Sequence, residues 1–98
     1  MILLFHDVGY YKHPYCITPE ELERYLDLYP DAEIHFDDGR KGVYNYAAKI
    51  LKEKGRTATL FLVPAFILGY IPPSEHYSHF MSEEDVKELI SILKPKRE

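Results

Sequence analysis

Apolar residues along this chain fall into short continuous runs that alternate with series at helical spacing. The first run, Ile2 to Phe5, is of the kind buried on both faces of a parallel sheet, and it stops at the polar pair His6-Asp7. It predicts a first strand, followed by a tyrosine-rich loop over residues 10–15. Thr18 then opens a capping box with Glu21, and Pro19 takes the first helical position. Leu22, Tyr25, Leu26 and Tyr29 recur at helical spacing as far as Pro30. The run Glu33-Ile34-His35-Phe36 leads straight into Asp37-Asp38-Gly39, so a second strand delivers two carboxylates at its carboxyl end. Val43, Tyr46, Ala47, Ile50 and Leu51 trace a second helix, closed by lysines and by Gly55 as its C-cap. Residues 57–63 are β-branched and apolar, are halted by Pro64, and predict a third strand. Residues 64–81, with Pro72-Pro73 and scattered aromatics, predict a long loop. Ser82 with Asp85 starts a third helix through Val86, Leu89, Ile90 and Leu93.

Strands separated by single helices pair in parallel through right-handed crossovers, so this order predicts an α/β fold in one domain over residues 1–98. Such folds gather functional groups at the carboxyl ends of their strands, and His6, Asp7, Asp37 and Asp38 all fall on that edge. Composition agrees with one small globular domain: 98 residues, 46% hydrophobic and 29% charged. The net charge of -4 gives no broad attraction for phosphate backbones or anionic lipid, so neither nucleic acid nor a membrane surface is expected as a partner. Lys94, Lys96 and Arg97 make a solvated tail. Cys16 is the single cysteine, which excludes an internal disulfide and a cysteine-rich zinc motif. The opening MILLFHDVGY carries no basic leader or cleavage site, and no window holds the roughly 18 apolar residues of a membrane span, so a cytoplasmic location is expected.

Asp37 and Asp38 are adjacent, and in an extended segment they point to opposite sides; a turn at Gly39 is what can bring both toward one site. Divided roles follow: one carboxylate can hold a metal while the other takes a proton from a water. The alternative is a plain Asp-Gly turn. His76 and His79 lie three residues apart, a spacing that places both imidazoles on one cation if the backbone turns there, and surface histidines are the competing reading. Tyr10, Tyr11 and Tyr15 offer an aromatic platform for a sugar ring, or packing. His6 and Asp7 face the same edge as substrate-binding candidates, or close a buried strand as satisfied hydrogen-bonding groups.

The run IHFDDGRKGVYNYAAKILKEKGRTATLFLVPAFI, residues 34–67, resembles the opening motif of the polysaccharide deacetylase family, the NodB homology domain or carbohydrate esterase family 4. In that family a strand ends in TFDDG, an alanine- or leucine-faced helix follows, and a glycine leads to a strand reading ATFFV. FHDV at residues 5–8 is similar to the family's N-terminal strand, and MSEEDVKELI at residues 81–90 to the helix before its second motif. The resemblance implies a partial distorted (β/α) barrel with about three parallel strands and three helices. It also implies hydrolysis of N- or O-acetyl groups on a carbohydrate, with Asp37 as general base and Asp38 as ligand of a divalent metal, usually zinc. His35 stands where the family has threonine. The family's paired metal histidines follow the last helix, whereas His76 and His79 precede it. The expectation is therefore a domain that stops before most of the metal site, with little or no activity unaided. Three strands of a barrel also leave a sheet edge open, which predicts a homo-oligomer or a partner chain covering it.

Overall fold

The computed structural model describes residues 1–12, 14–63 and 80–93. In chain order these form β1 (Ile2–Phe5), β2 (Asp7–Val8), β3 (Cys16–Ile17), α1 (Pro19–Leu28), β4 (Glu33–Asp37), a π-helical turn (Val43–Ala47) running into α2 (Ala48–Glu53), β5 (Thr59–Phe61) and α3 (Glu83–Leu93). The predicted long loop lies for the most part outside the described residues, and His76 and His79 lie outside them altogether.

The main sheet is parallel, in the order β1-β4-β5, with Leu4 opposite His35 and Asp37 opposite Phe61. The expected parallel arrangement is thus the one found. Each pair is joined through a helix, because parallel neighbours need a crossover. A second parallel pair, β2 with β3, flanks the tyrosine-rich loop and had no counterpart in the predicted elements: Asp7 N–H donates to Tyr15 O at 3.2 Å and Gly9 N–H to Ile17 O at 2.8 Å.

The helices cover one face of the main sheet. Leu3, Phe5, Ile34, Phe36 and Leu60 point into a single core with Leu22 and Leu26 of α1, Leu51 of α2 and Leu89 of α3. Full burial of a leucine of this kind is worth about 1.5–3 kcal/mol. The alternate residues face outward: Ile2 is 55% exposed, Leu4 56% and Phe61 48%. The continuous apolar run of β1 suggested burial on both faces, and here the outer face is open among the described residues.

Local signals set the helix starts. Thr18 Oγ1 accepts from Glu21 N–H at 3.1 Å while Thr18 N–H donates to Glu21 Oε1 at 3.0 Å, and Ser82 and Asp85 repeat the reciprocal pair at 3.1 Å each way. The second helix opens differently. Ala48 N–H donates to Val43 O, five residues back, so one extra residue is accommodated in the first turn. Its end follows the prediction: Gly55 has φ +65°, and Gly55 N–H and Arg56 N–H donate to Lys52 O and Leu51 O. No described helix is long and apolar enough to cross a membrane.

Candidate active site

The FDDG segment leaves the sheet at the carboxyl end of β4. Asp37 is the last residue of that central strand, between β1 and β5, and the chain turns immediately after it. Asp38 has φ +72° and Gly39 φ +71°, so two successive left-handed residues make the turn. Aspartate tolerates that region better than most side chains, and glycine does so freely. The left-handed turn starts at Asp38, one residue before the glycine expected to make it.

The oxygens of Asp37 have different neighbours. Oδ1 accepts from Asp38 N–H at 3.1 Å, and Oδ2 lies 3.7 Å from His6 Nε2. His6 follows β1 directly, and its ring packs on Tyr15 with centroids 5.0 Å apart. The side chains of His6 and Asp37 are 28% and 42% exposed, so water reaches both. The sequence placed His6, Asp7, Asp37 and Asp38 on one edge, and the structure brings His6 and Asp37 into one pair.

Two other candidates lie elsewhere. Asp7 is fully buried, and as placed it offers no surface to a substrate; its Oδ1 accepts from Val8 N–H at 2.9 Å. The Tyr10 hydroxyl donates to Glu20 at 2.6 and 3.0 Å, and its ring meets Tyr46 edge-on at 6.0 Å. The hydrogen bond to Glu20 raises the Tyr10 pKa above its ordinary value, which ties this tyrosine to α1.

Several supports of the turn carried no signal in the sequence. Met81 N–H donates to Gly39 O at 2.8 Å, Arg40 pairs with Phe80 in an antiparallel bridge, and the Arg40 guanidinium lies over the Phe80 ring at 4.2 Å. Lys41 Nζ reaches Asp85 Oδ2 at 2.8 Å. Burial works against the Asp85 carboxylate, but hydrogen bonds from Lys41 and from Ser82 N–H outweigh it and hold its pKa below the ordinary value. One carboxylate therefore caps α3 and ties it to the FDDG turn. Proximity of Lys41 to Asp85 arises only when α3 packs on the second helix, 40 residues on.

Among the described residues no three histidine, cysteine, aspartate or glutamate side chains converge as a metal group would require. Catalytic zinc takes three protein ligands and a water, so the described residues alone do not fit a zinc site.

No family model matches the chain, and no curated protein matches it in sequence. Solved structures do match in fold. IcaB from Ammonifex degensii superposes with a TM-score of 0.74 at 22% identity, over 93% of this chain and 48% of that one. The deacetylase PplD of Streptococcus pyogenes, solved with acetate, gives 0.70 at 17% identity, over 93% and 51%. A de-N-acetylase from Aggregatibacter actinomycetemcomitans gives 0.75 at 18% identity, over 92% and 50%. The chain spans about half the length of these structures, and at such identities the likeness establishes its fold: an α/β arrangement shared with part of a deacetylase structure.

Proposed function

We propose that this chain is a polysaccharide deacetylase-like domain, serving hydrolysis of N- or O-acetyl groups on a carbohydrate, with Asp37 as the general base. The observation that carries the reading is the FDDG turn at the carboxyl end of the central strand, in a fold shared with part of a deacetylase and of a de-N-acetylase structure. Asp37 Oδ1 is held by Asp38 N–H, which leaves Oδ2 to accept a proton from a water attacking the acetyl carbon. His6 Nε2 lies 3.7 Å from that oxygen, a separation for electrostatic contact and not for a direct hydrogen bond. Hydrolysis also requires groups that stabilise the oxyanion and protonate the leaving amine or hydroxyl. Those groups, and the ligands that zinc would need beside Asp38, are to be sought outside the described residues.

The test is a calorimetric titration of zinc into chelator-treated protein, wild type against Asp38→Asn. Binding in the wild type that weakens about tenfold or more in the variant supports Asp38 as a ligand. No binding by the wild type leaves a deacetylase-like scaffold without its metal. Robust deacetylation of an acetylated chitooligosaccharide by the purified 98 residues would overturn the expectation of low unaided activity.

A second reading is favoured by the outer sheet face, where Ile2, Leu4 and Phe61 are exposed. In it a second copy or a partner chain covers that face and completes the site. Parallel sheets are seldom left open on either side, which is the physical ground for it.

A further inference from the structure

We propose that Asp7 is a positioning residue: its buried carboxylate, pressed against Gly42, anchors the far end of the Asp37–Gly42 loop and so sets where the FDDG carboxylates point. The inference rests on Asp37 and Asp38 being the working carboxylates.

Asp7 is the charged residue that the core encloses among the described residues, with no exposed surface. A carboxylate in such a place is costly to desolvate and is kept only with polar partners. One of these is Val8 N–H, which donates to Oδ1 at 2.9 Å. The same oxygen meets the loop: a Cβ built on Gly42 would lie 2.4 Å from Asp7 Oδ1 and 2.0 Å from Val8 O. The Gly42 backbone thus lies flush on the Asp7-Val8 strand, a contact that a side chain at Gly42 would forbid. The anchoring point sits five residues after Asp37 and opens the π-helical turn, so the short loop is gripped at both ends.

Between those ends Asp38 holds φ +72°, a left-handed conformation that aspartate tolerates at some cost and that a loop fixed at both ends helps to hold. Asp7 supplies the fixed point at the Gly42 end. Its charge also reaches Cys16 on the paired strand: burial pushes the Cys16 thiol up, and the negative charge of Asp7 adds to this. The sequence suggested Asp7 as a substrate contact, and its burial assigns it to the layer beneath.

The experiment compares wild type, Asp7→Asn and the core truncation Leu89→Ala by amide hydrogen exchange and by carboxyl carbon resonances of Asp37 and Asp38. Val43 N–H and Met81 N–H, bonded to Arg40 O and Gly39 O, report on the loop, and the Phe36 amide reports on the central strand. The expected result for Asp7→Asn is exchange at Val43 and Met81 about tenfold faster relative to Phe36, with displaced Asp37 and Asp38 resonances. In Leu89→Ala all three amides accelerate together and the carboxyl resonances stay in place. Equal acceleration of loop and strand in Asp7→Asn, or unmoved carboxyl resonances, would overturn the proposal. Gly42→Ala supplies a second arm, because its methyl group must displace the same loop and should reproduce the Asp7→Asn pattern. Neither readout depends on zinc or on deacetylation, so failure of the functional reading and failure of the anchor are told apart.

Discussion

At φ +72°, Asp38 has a backbone that suits asparagine and glycine, tolerates aspartate and strains a β-branched residue. Asp38→Asn and Asp38→Gly should leave stability within about 0.5 kcal/mol of wild type, while Asp38→Val should cost about 1–2 kcal/mol, read from urea midpoints at constant slope. The contrast separates the carboxylate from the conformation: all three variants lose the charge, and only valine loses the turn. Arg56 is a second case. Its guanidinium donates to Leu26 O at 3.0 Å, Tyr29 O at 3.2 Å and Ala32 O at 2.9 Å, so it satisfies carbonyls at and beyond the end of α1. No pattern around residue 56 announces this, since the bonds span 24 to 30 positions.

The elements differ in where their limits come from. Both capping boxes are short-range, with partners three residues apart, and both were legible. Replacing Thr18 by alanine should cost about 1 kcal/mol. Acid should weaken both caps. Hydrogen bonds from Thr18 hold the Glu21 carboxyl below its ordinary value, and Asp85 is held below its own for the reasons given above. Depressed folded values mean that the stabilisation is present above the unfolded values and is lost as pH falls through the folded ones. Wild type should therefore lose urea stability as pH drops from about 5 toward 2, and Asp85→Asn should show a shallower loss. The second helix was legible in its apolar spacing and its Gly55 stop. Its π-helical turn was not, because periodicity of the apolar residues cannot reveal one hydrogen bond closing five residues back.

Among the described residues, the main sheet has one packed face and one open one. Leu89 lies in the core between α3 and the sheet, and Leu89→Ala should cost about 2–5 kcal/mol, a severe loss for a domain of this size. On the open side Ile2, Leu4 and Phe61 line the outer face, and β1 and β5 are its outer strands. Beside β5 an apolar groove of about 350 Å³, lined by Leu60, Leu62, Leu89, Ile90 and Leu93 among others, runs along α3. If a second copy covers the open face, sedimentation at rising concentration will give a dimer or larger species, and Leu4→Lys with Phe61→Lys will return it to monomer. A monomer at all concentrations would remove that reading.

Strand runs, helix spacings, caps and the FDDG segment were all readable along the chain, because each depends on neighbours within about four residues. Parallel pairing also followed, since single helices between strands leave few other topologies. The open outer face was not readable: the pattern of β1 reports that its residues are apolar, not which of them other elements reach. The same limit governed the site. His6 and Asp37 are 31 positions apart and meet only because β1 pairs with β4, which puts Phe5 opposite Phe36. Asp7 stands next to His6 in the chain, yet burial beside Gly42 gives it a different environment. Chemistry that rests on residue type and short spacing is written locally; which side chains face one another, and which are shut away from water, follows from packing between distant segments.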